Sequence, residues 1–346
     1  MDFGSPNPAQ SENEQAKGPE PEQLASLLKP ICTQMLSQLN YPGAPQPKDD
    51  VTTALLHSIY CRALEIGVPL NTPISTQGFR LGYTEGLLAH PSHPVEVKAY
   101  IGLFTWLIIQ YDDIVGQSNE MVEEAYLFHQ LFFQGHPQLN KLLEGIALLL
   151  REAYNHFDRI MANILQISIL KFLTSNLLEQ HNGFQNMPIT KAGQMFPYFF
   201  RDMSGMTTAY AIFCFPKALY PDVTAFLEAI PEMAKFVNIS NDVLSSFYKE
   251  ELGGDTRNYI HNRATCTGQP ILSVLADVAK ESLESADRIQ LILKNRGEYL
   301  QAWNEGVRGF LAMHTTNIRY KFEDLGLGEE DPLASFEAKF GPVLGA

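Results

Sequence analysis

From Val51 almost to Leu325 the apolar residues recur three and four positions apart, and this one feature constrains the fold more than any other. That spacing lines one face of a helix, whereas a strand needs a period of two, and no segment reads convincingly as a sheet. The interruptions are local Gly/Pro-bearing breaks at Gly67 to Pro73, His90 to Pro94, Gly135 to Pro137, Asn182 to Pro188, Pro216 to Pro221 and Gly253 to Pro270. None has the look of an interdomain linker, and no repeat of fixed period is present. The expected fold is therefore all-α: one domain of about ten or more helices packed as a bundle.

Two segments stand outside that pattern. Residues 1 to 22 are rich in Pro, Ser, Asn, Gln and Glu and too poor in large apolar groups to offset the entropy of ordering, so a disordered tail is expected there. A short helix is expected over Glu22 to Leu39, then the loop YPGAPQPKDD, with the main domain running on to residue 346. The polar stretch GGDTRNYIHNRATCTG, residues 253 to 268, reads as a lid loop.

Composition narrows the function. A hydrophobic share of 45% with 11% aromatics supplies a large core and enough rings to line a cavity. The net charge of −14 disfavours nucleic acid and anionic membranes, and a phosphate-bearing ligand would need bridging cations. Cys32, Cys61, Cys214 and Cys266 lie far apart with no CxxC spacing, which indicates neither zinc nor a disulfide framework. The N-terminal sequence lacks the basic and apolar regions of a secretion signal, and no uninterrupted apolar stretch of about 18 residues occurs, so a cytoplasmic protein without stable membrane association is expected.

Four segments could carry chemistry. TWLIIQYDDIVGQ ends an apolar helix on Asp112 and Asp113, costly there unless they point to water or bind a cation. In VNISNDVLSSFYKEE, Asp242, Ser246 and Glu250 recur every four residues, so at about 100° per residue they share one helix face. Two acids and a hydroxyl suit Mg²⁺, a hard cation that prefers oxygen ligands and is readily completed by phosphate oxygens. FPYFFRDMSGMTTAY places Arg201 after an aromatic run with Gly205 four residues on, where a glycine inside a helical pattern suggests a kink or a close ligand approach. HTTNIRYKFEDLG carries Arg319 and Tyr320, a guanidinium fork and a phenol suited to phosphate. Each segment alone is also compatible with a solvated helix face.

Together and in this order, these segments resemble the class I terpene synthases, and within them the fungal trichodiene synthase family, over residues 50 to 325 or so. The resemblance implies a helical bundle around a central cavity and a sesquiterpene cyclase that ionises farnesyl diphosphate with Mg²⁺, as three ions. It implies that Asp112 binds metal and that Arg201, Lys249, Arg319 and Tyr320 hold the diphosphate. Two departures stand out. Val115 and Gly116 replace a further acid after Asp112 and Asp113, which leaves the role of Asp113 open. NDVLSSFYKE also has one residue more than the family pattern between Asn241 and Glu250. Two ligand registers follow: Asp242, Ser246 and Glu250 on a regular helix, which is preferred, or Asn241 and Ser245 with Glu250, which requires a π-bulge.

The implied chemistry needs a dry pocket with aromatic faces, for which Phe104, Tyr111, Phe200 and Tyr210 are candidates. A chain-elongating prenyltransferase, a non-catalytic helical binding protein and a homodimeric assembly all remain open at this stage.

Overall fold

The computed structural model describes residues 21–332, with the side chains of Ser245 and Ser246 outside that description. The expected tail up to residue 20 and the last residues of the chain lie outside the described residues. Among those described there are helices and no strand.

The N-terminal half comprises α1 (Pro21–Gln38), α2 (Asp49–Ile66), α3 (Pro73–Thr84), α4 (Val95–Ile114), α5 (Asn119–Tyr126), α6 (Phe128–Gln134), α7 (Lys141–His156) and α8 (Arg159–Gln180). The C-terminal half adds α9 (Asn182–Gln185), α10 (Phe196–Ser204), α11 (Thr207–Phe213), α12 (Ile230–Asn241) and α13 (Phe247–Gly253). It ends with α14 (Tyr259–Thr267), α15 (Ile271–Leu293) and α16 (Gly297–Thr316). α1 begins at Pro21, so the last two residues read as tail are helical.

Local chemistry sets many of these boundaries. Thr72, Asn140, Asp158 and Asn258 each accept a backbone N–H of the first turn that follows, at α3, α7, α8 and α14. Gly67 and Gly268 close α2 and α14 in the left-handed conformation. Those caps correct the expected lid: Asn258 and Gly268 bracket a helix, α14, leaving only residues 254–258 as loop between it and α13.

Two π turns interrupt the α-helical run, Glu85–Ala89 directly after α3 and Asp242–Ser246 between α12 and α13. In the second, the Phe247 amide donates to the Asp242 carbonyl five residues back.

α4 is buried nearly all round and forms the axis of the bundle, packed on α2, α3 and α7. Where α3 and α4 cross, a Cβ on Gly82 would sit 2.1 Å from the Gly102 carbonyl oxygen, so the two backbones touch and neither position accepts a side chain. α8 is long and apolar enough to cross a membrane, yet over half of the qualifying window is buried in the bundle, the signature of a core helix. One large apolar cluster spans most helices and a second joins α1, α13, α14 and α15. All four cysteines are free.

Candidate active site

Between α4, α8, α10 to α12 and α16 the bundle opens into two adjoining compartments of about 220 and 750 Å³. Asp112, Phe172, Arg201, Ser204, Asn241 and Lys249 line both and mark the boundary between them. The inner compartment is walled by Ile108, Phe172, Phe236, Trp303, Val307 and Phe310, with Tyr320 and Arg319 at its upper rim. The outer one is polar and acidic, with Glu179, Asp242, Glu250 and Asp255 in its wall. An apolar, ring-lined interior therefore sits below a charged mouth.

The mouth is built from helix ends. Asp112 and Asp113 close α4, and their carboxylates diverge. Asp113 takes a two-point ion pair from Arg319, with Nη2 to Oδ1 at 2.9 Å and Nη1 to Oδ2 at 3.1 Å. Asp112 opens on the cavity instead; the surrounding protein and the charge of Asp113 raise its pKa, against the pull of Arg319 and Lys249. In this structure Asp113, whose role the sequence left open, is paired with Arg319.

Arg201, near the end of α10, is largely but not fully buried and reaches across to α12 and the π turn after it. Its Nε donates to both oxygens of Asp242 at 2.8 and 3.0 Å, and its Nη2 to the Asn238 carbonyl at 3.0 Å and the Asn241 Oδ1 at 3.2 Å. Gly205 makes this approach feasible, because a Cβ there would lie 1.8 Å from Asn238 Oδ1 and 2.8 Å from Arg201 Nη1. The close approach expected at Gly205 is therefore to the protein's own side chains.

Asn241 is set from its other side by His314. The His314 Nδ1–H donates to the Phe310 carbonyl at 2.7 Å, which leaves Nε2 to accept from the Asn241 amide at 3.3 Å. Burial holds His314 neutral, its pKa pushed down to about 4, and its ring stacks on Tyr320 at 4.4 Å. The Asn241 oxygen thus faces the cavity and Arg201. Its neighbour Asp242 is buried and engaged by Arg201.

The preferred register assumed a regular helix through residues 242–250, and the helix is not regular: the π turn absorbs the extra residue at that point. Asn241 and Glu250 accordingly both line the outer compartment, with Lys249 beside them. Glu250 is pushed up to about 7 by burial and by Asp242. Across the mouth, Glu179 of α8 is pushed up to about 8 by burial and by Asp112, Asp255 and Glu250. Acids that raise one another's pKa in this way are a site short of positive charge. Among the described residues no three His, Cys, Asp or Glu side chains approach closely enough to enclose a metal unaided.

Of the four rings nominated from sequence, Tyr210 lines the inner compartment and Phe200 the outer. Phe104 and Tyr111 are core instead: Phe104 packs on Tyr100 and Phe213, and the Tyr111 hydroxyl donates to the Leu173 carbonyl at 3.2 Å. Glu179 and His314 were missed, since a lone Glu in LLEQH and a His ahead of TTNIRY carry no spacing signal.

Asp112, Arg201, Asn241, Lys249, Glu250, Arg319 and Tyr320 thus line the two adjoining compartments. The family described as Trichodiene synthase (TRI5) matches residues 88–341. The chain belongs to the trichodiene synthase family. Terpene synthase BipA of Cochliobolus sativus is 33% identical over 308 residues, 88% of this chain and 93% of that protein. Longiborneol synthase CLM1 of Gibberella zeae is 33% identical over 310 residues, 88% of this chain and 90% of its own. Among solved structures, the Linalool/Nerolidol synthase of Streptomyces clavuligerus, in complex with 2-fluorogeranyl diphosphate, superposes with a TM-score of 0.58. It covers 81% of this chain and 99% of its own at 11% identity, a likeness of fold alone. This terpene synthase is thus an enzyme with the class I helical fold.

Proposed function

We propose that this terpene synthase is a Mg²⁺-dependent sesquiterpene cyclase that ionises farnesyl diphosphate, releases diphosphate and closes the remaining carbocation into a ring. The observation that carries the reading is the division of the cavity, cationic donors and acids at the mouth and an apolar, aromatic chamber beneath. A relative named (E)-beta farnesene synthase, of Metarhizium brunneum, 28% identical over 249 residues, supports a farnesyl chain.

The donors at the mouth fit Mg²⁺. They are oxygens of Asp112, Asn241 and Glu250 with Glu179 opposite, too few and too spread to enclose an ion, which matches a metal that retains waters and is completed by diphosphate. The Asn241 register is favoured over Asp242 because Arg201 holds both oxygens of the buried Asp242 through its Nε, whereas it makes one longer contact, 3.2 Å, to the Asn241 oxygen, and Asn241 lines both compartments. When bound, the metal neutralises the diphosphate and makes it a better leaving group.

The chain's own residues do the rest. Arg201, Lys249 and Arg319 place fixed positive charge, and Tyr320 a hydroxyl, where the leaving group gains negative charge as the C–O bond breaks. The electron pair of that bond departs with the diphosphate, leaving an allylic cation in the chamber. Phe172, Phe236, Trp303 and Phe310 offer ring faces to it and keep water out. The test is diphosphate release from geranyl, farnesyl and geranylgeranyl diphosphates with and without EDTA. Fastest release with the farnesyl substrate, abolished by EDTA, supports the reading, and release from none returns the chain to a binding role.

A further inference from the structure

One end of the inner chamber carries a second polar group, apart from the residues assigned to the diphosphate. Glu85 opens the π turn after α3 and lines the chamber, although it is only 5% exposed. His90, 3% exposed, lines the same end, its Nε2 standing 3.6 Å from Glu85 Oε1. Neither nitrogen of His90 has a hydrogen-bond partner among the described residues, and no described donor reaches the Glu85 carboxyl within hydrogen-bond distance. Buried polar groups are nearly always bonded, so an unbonded pair facing a cavity calls for a functional reason.

Of the other polar side chains lining the chamber, the Thr207 hydroxyl is also unbonded among the described residues but is a far weaker base than a carboxylate, and others are occupied. The Tyr210 hydroxyl donates to Thr105 Oγ1 at 3.3 Å and the Cys214 thiol to the Tyr210 carbonyl at 3.8 Å. His93, stacked on His90 at 4.8 Å, donates from Nε2 to the Phe213 carbonyl at 2.9 Å. The scaffold under Glu85 is rigid: a Cβ on Gly86 would sit 2.5 Å from the Lys98 carbonyl oxygen, and one on Gly309 would sit 2.2 Å from the Ala89 Cα.

Resting on the cyclase reading above, we propose that Glu85 is the base that ends the reaction, taking a proton from the cyclised carbocation in the chamber. The C–H bond beside the cationic carbon breaks, its electron pair becomes the new C=C bond, and the proton bonds to a Glu85 carboxylate oxygen. The carboxylic acid returns that proton to water once the neutral olefin leaves. Of the two unbonded groups Glu85 is the stronger base: burial pushes it up to about 7, whereas burial and Lys98 hold His90 near 3.

The experiment compares wild type with Glu85→Gln, measuring diphosphate release and the product mixture from farnesyl diphosphate and Mg²⁺. Release stays within about threefold of wild type while the main olefin falls about tenfold or more in share, replaced by products that end elsewhere. An unchanged product ratio overturns the proposal, as does lost release in a variant whose circular dichroism shows an intact fold. Should Glu85→Gln not fold, Glu85→Asp draws the carboxylate back by one methylene, and an unaltered product ratio in that variant overturns the proposal equally. Wild type that releases no diphosphate sinks the cyclase reading itself, a result distinct from these.

Discussion

Asn241 and Asp242 adjoin in sequence yet do different work around one guanidinium: Asp242 anchors Arg201, and Asn241, oriented by His314, presents an oxygen to the cavity. The two substitutions should therefore separate. Asn241→Ala lowers Mg²⁺ affinity in the presence of diphosphate by roughly tenfold or more with little change in melting temperature, read by calorimetry. Asp242→Ala strands a largely buried cation and costs roughly 3 kcal/mol of stability, read by thermal unfolding. Loss of metal affinity only in Asp242→Ala would reverse the assignment. Gly205→Ala is the third probe. Its methyl must displace Asn238 or Arg201, so diphosphate release falls by about tenfold or more while the helical signal in circular dichroism persists.

Among elements, the two π turns do the most to shape the site, one placing Glu85 on the chamber wall and the other bringing Asn241 and Glu250 to the same compartment. If the second exists to absorb an extra residue, deleting Ser246 should convert it to α-helix and leave diphosphate release within a few-fold of wild type. A deletion that abolishes release and binding would show that the wide turn itself is required. The helices were largely legible in sequence, because a three-and-four spacing and caps such as Asn140 and Gly67 are local signals. The π turn was legible only as a condition attached to one register, since a single surplus residue in NDVLSSFYKE does not say where the helix widens. The presumed lid was misread because its polarity outweighed the Asn258 and Gly268 caps that make it α14. Glu85 and His90 gave no signal at all; what marks them is a buried pair on the chamber wall with the His90 nitrogens unbonded, which only a packed structure exhibits.

For the whole molecule, buried titratable groups set opposing pH slopes. His90, His93 and His314 are held down to about 3, 3 and 4 by burial, so below about 6.5 the unfolded chain takes up protons that the folded one refuses. Stability is lost as pH falls from about 6.5 toward 4. Glu85 and Glu250, each raised to about 7, act in reverse, and their protonated folded forms lose advantage as pH climbs from about 4.5 to 7. Calorimetric melting across pH 4–9 should therefore show a maximum near the middle, and Mg²⁺ with diphosphate should raise the alkaline limb. A melting temperature flat across that range would mean that these groups are solvated.

The central claim, that a charged mouth ionises a prenyl diphosphate above a chamber that cyclises it, is tested most directly by its product. Purified protein is incubated with farnesyl diphosphate and Mg²⁺, with and without EDTA, and the extract is resolved by gas chromatography and mass spectrometry. A cyclic sesquiterpene that vanishes with EDTA is the expected result. An extract containing only acyclic alcohol would contradict the dry chamber, and one with no terpene from any prenyl diphosphate would contradict the account as a whole.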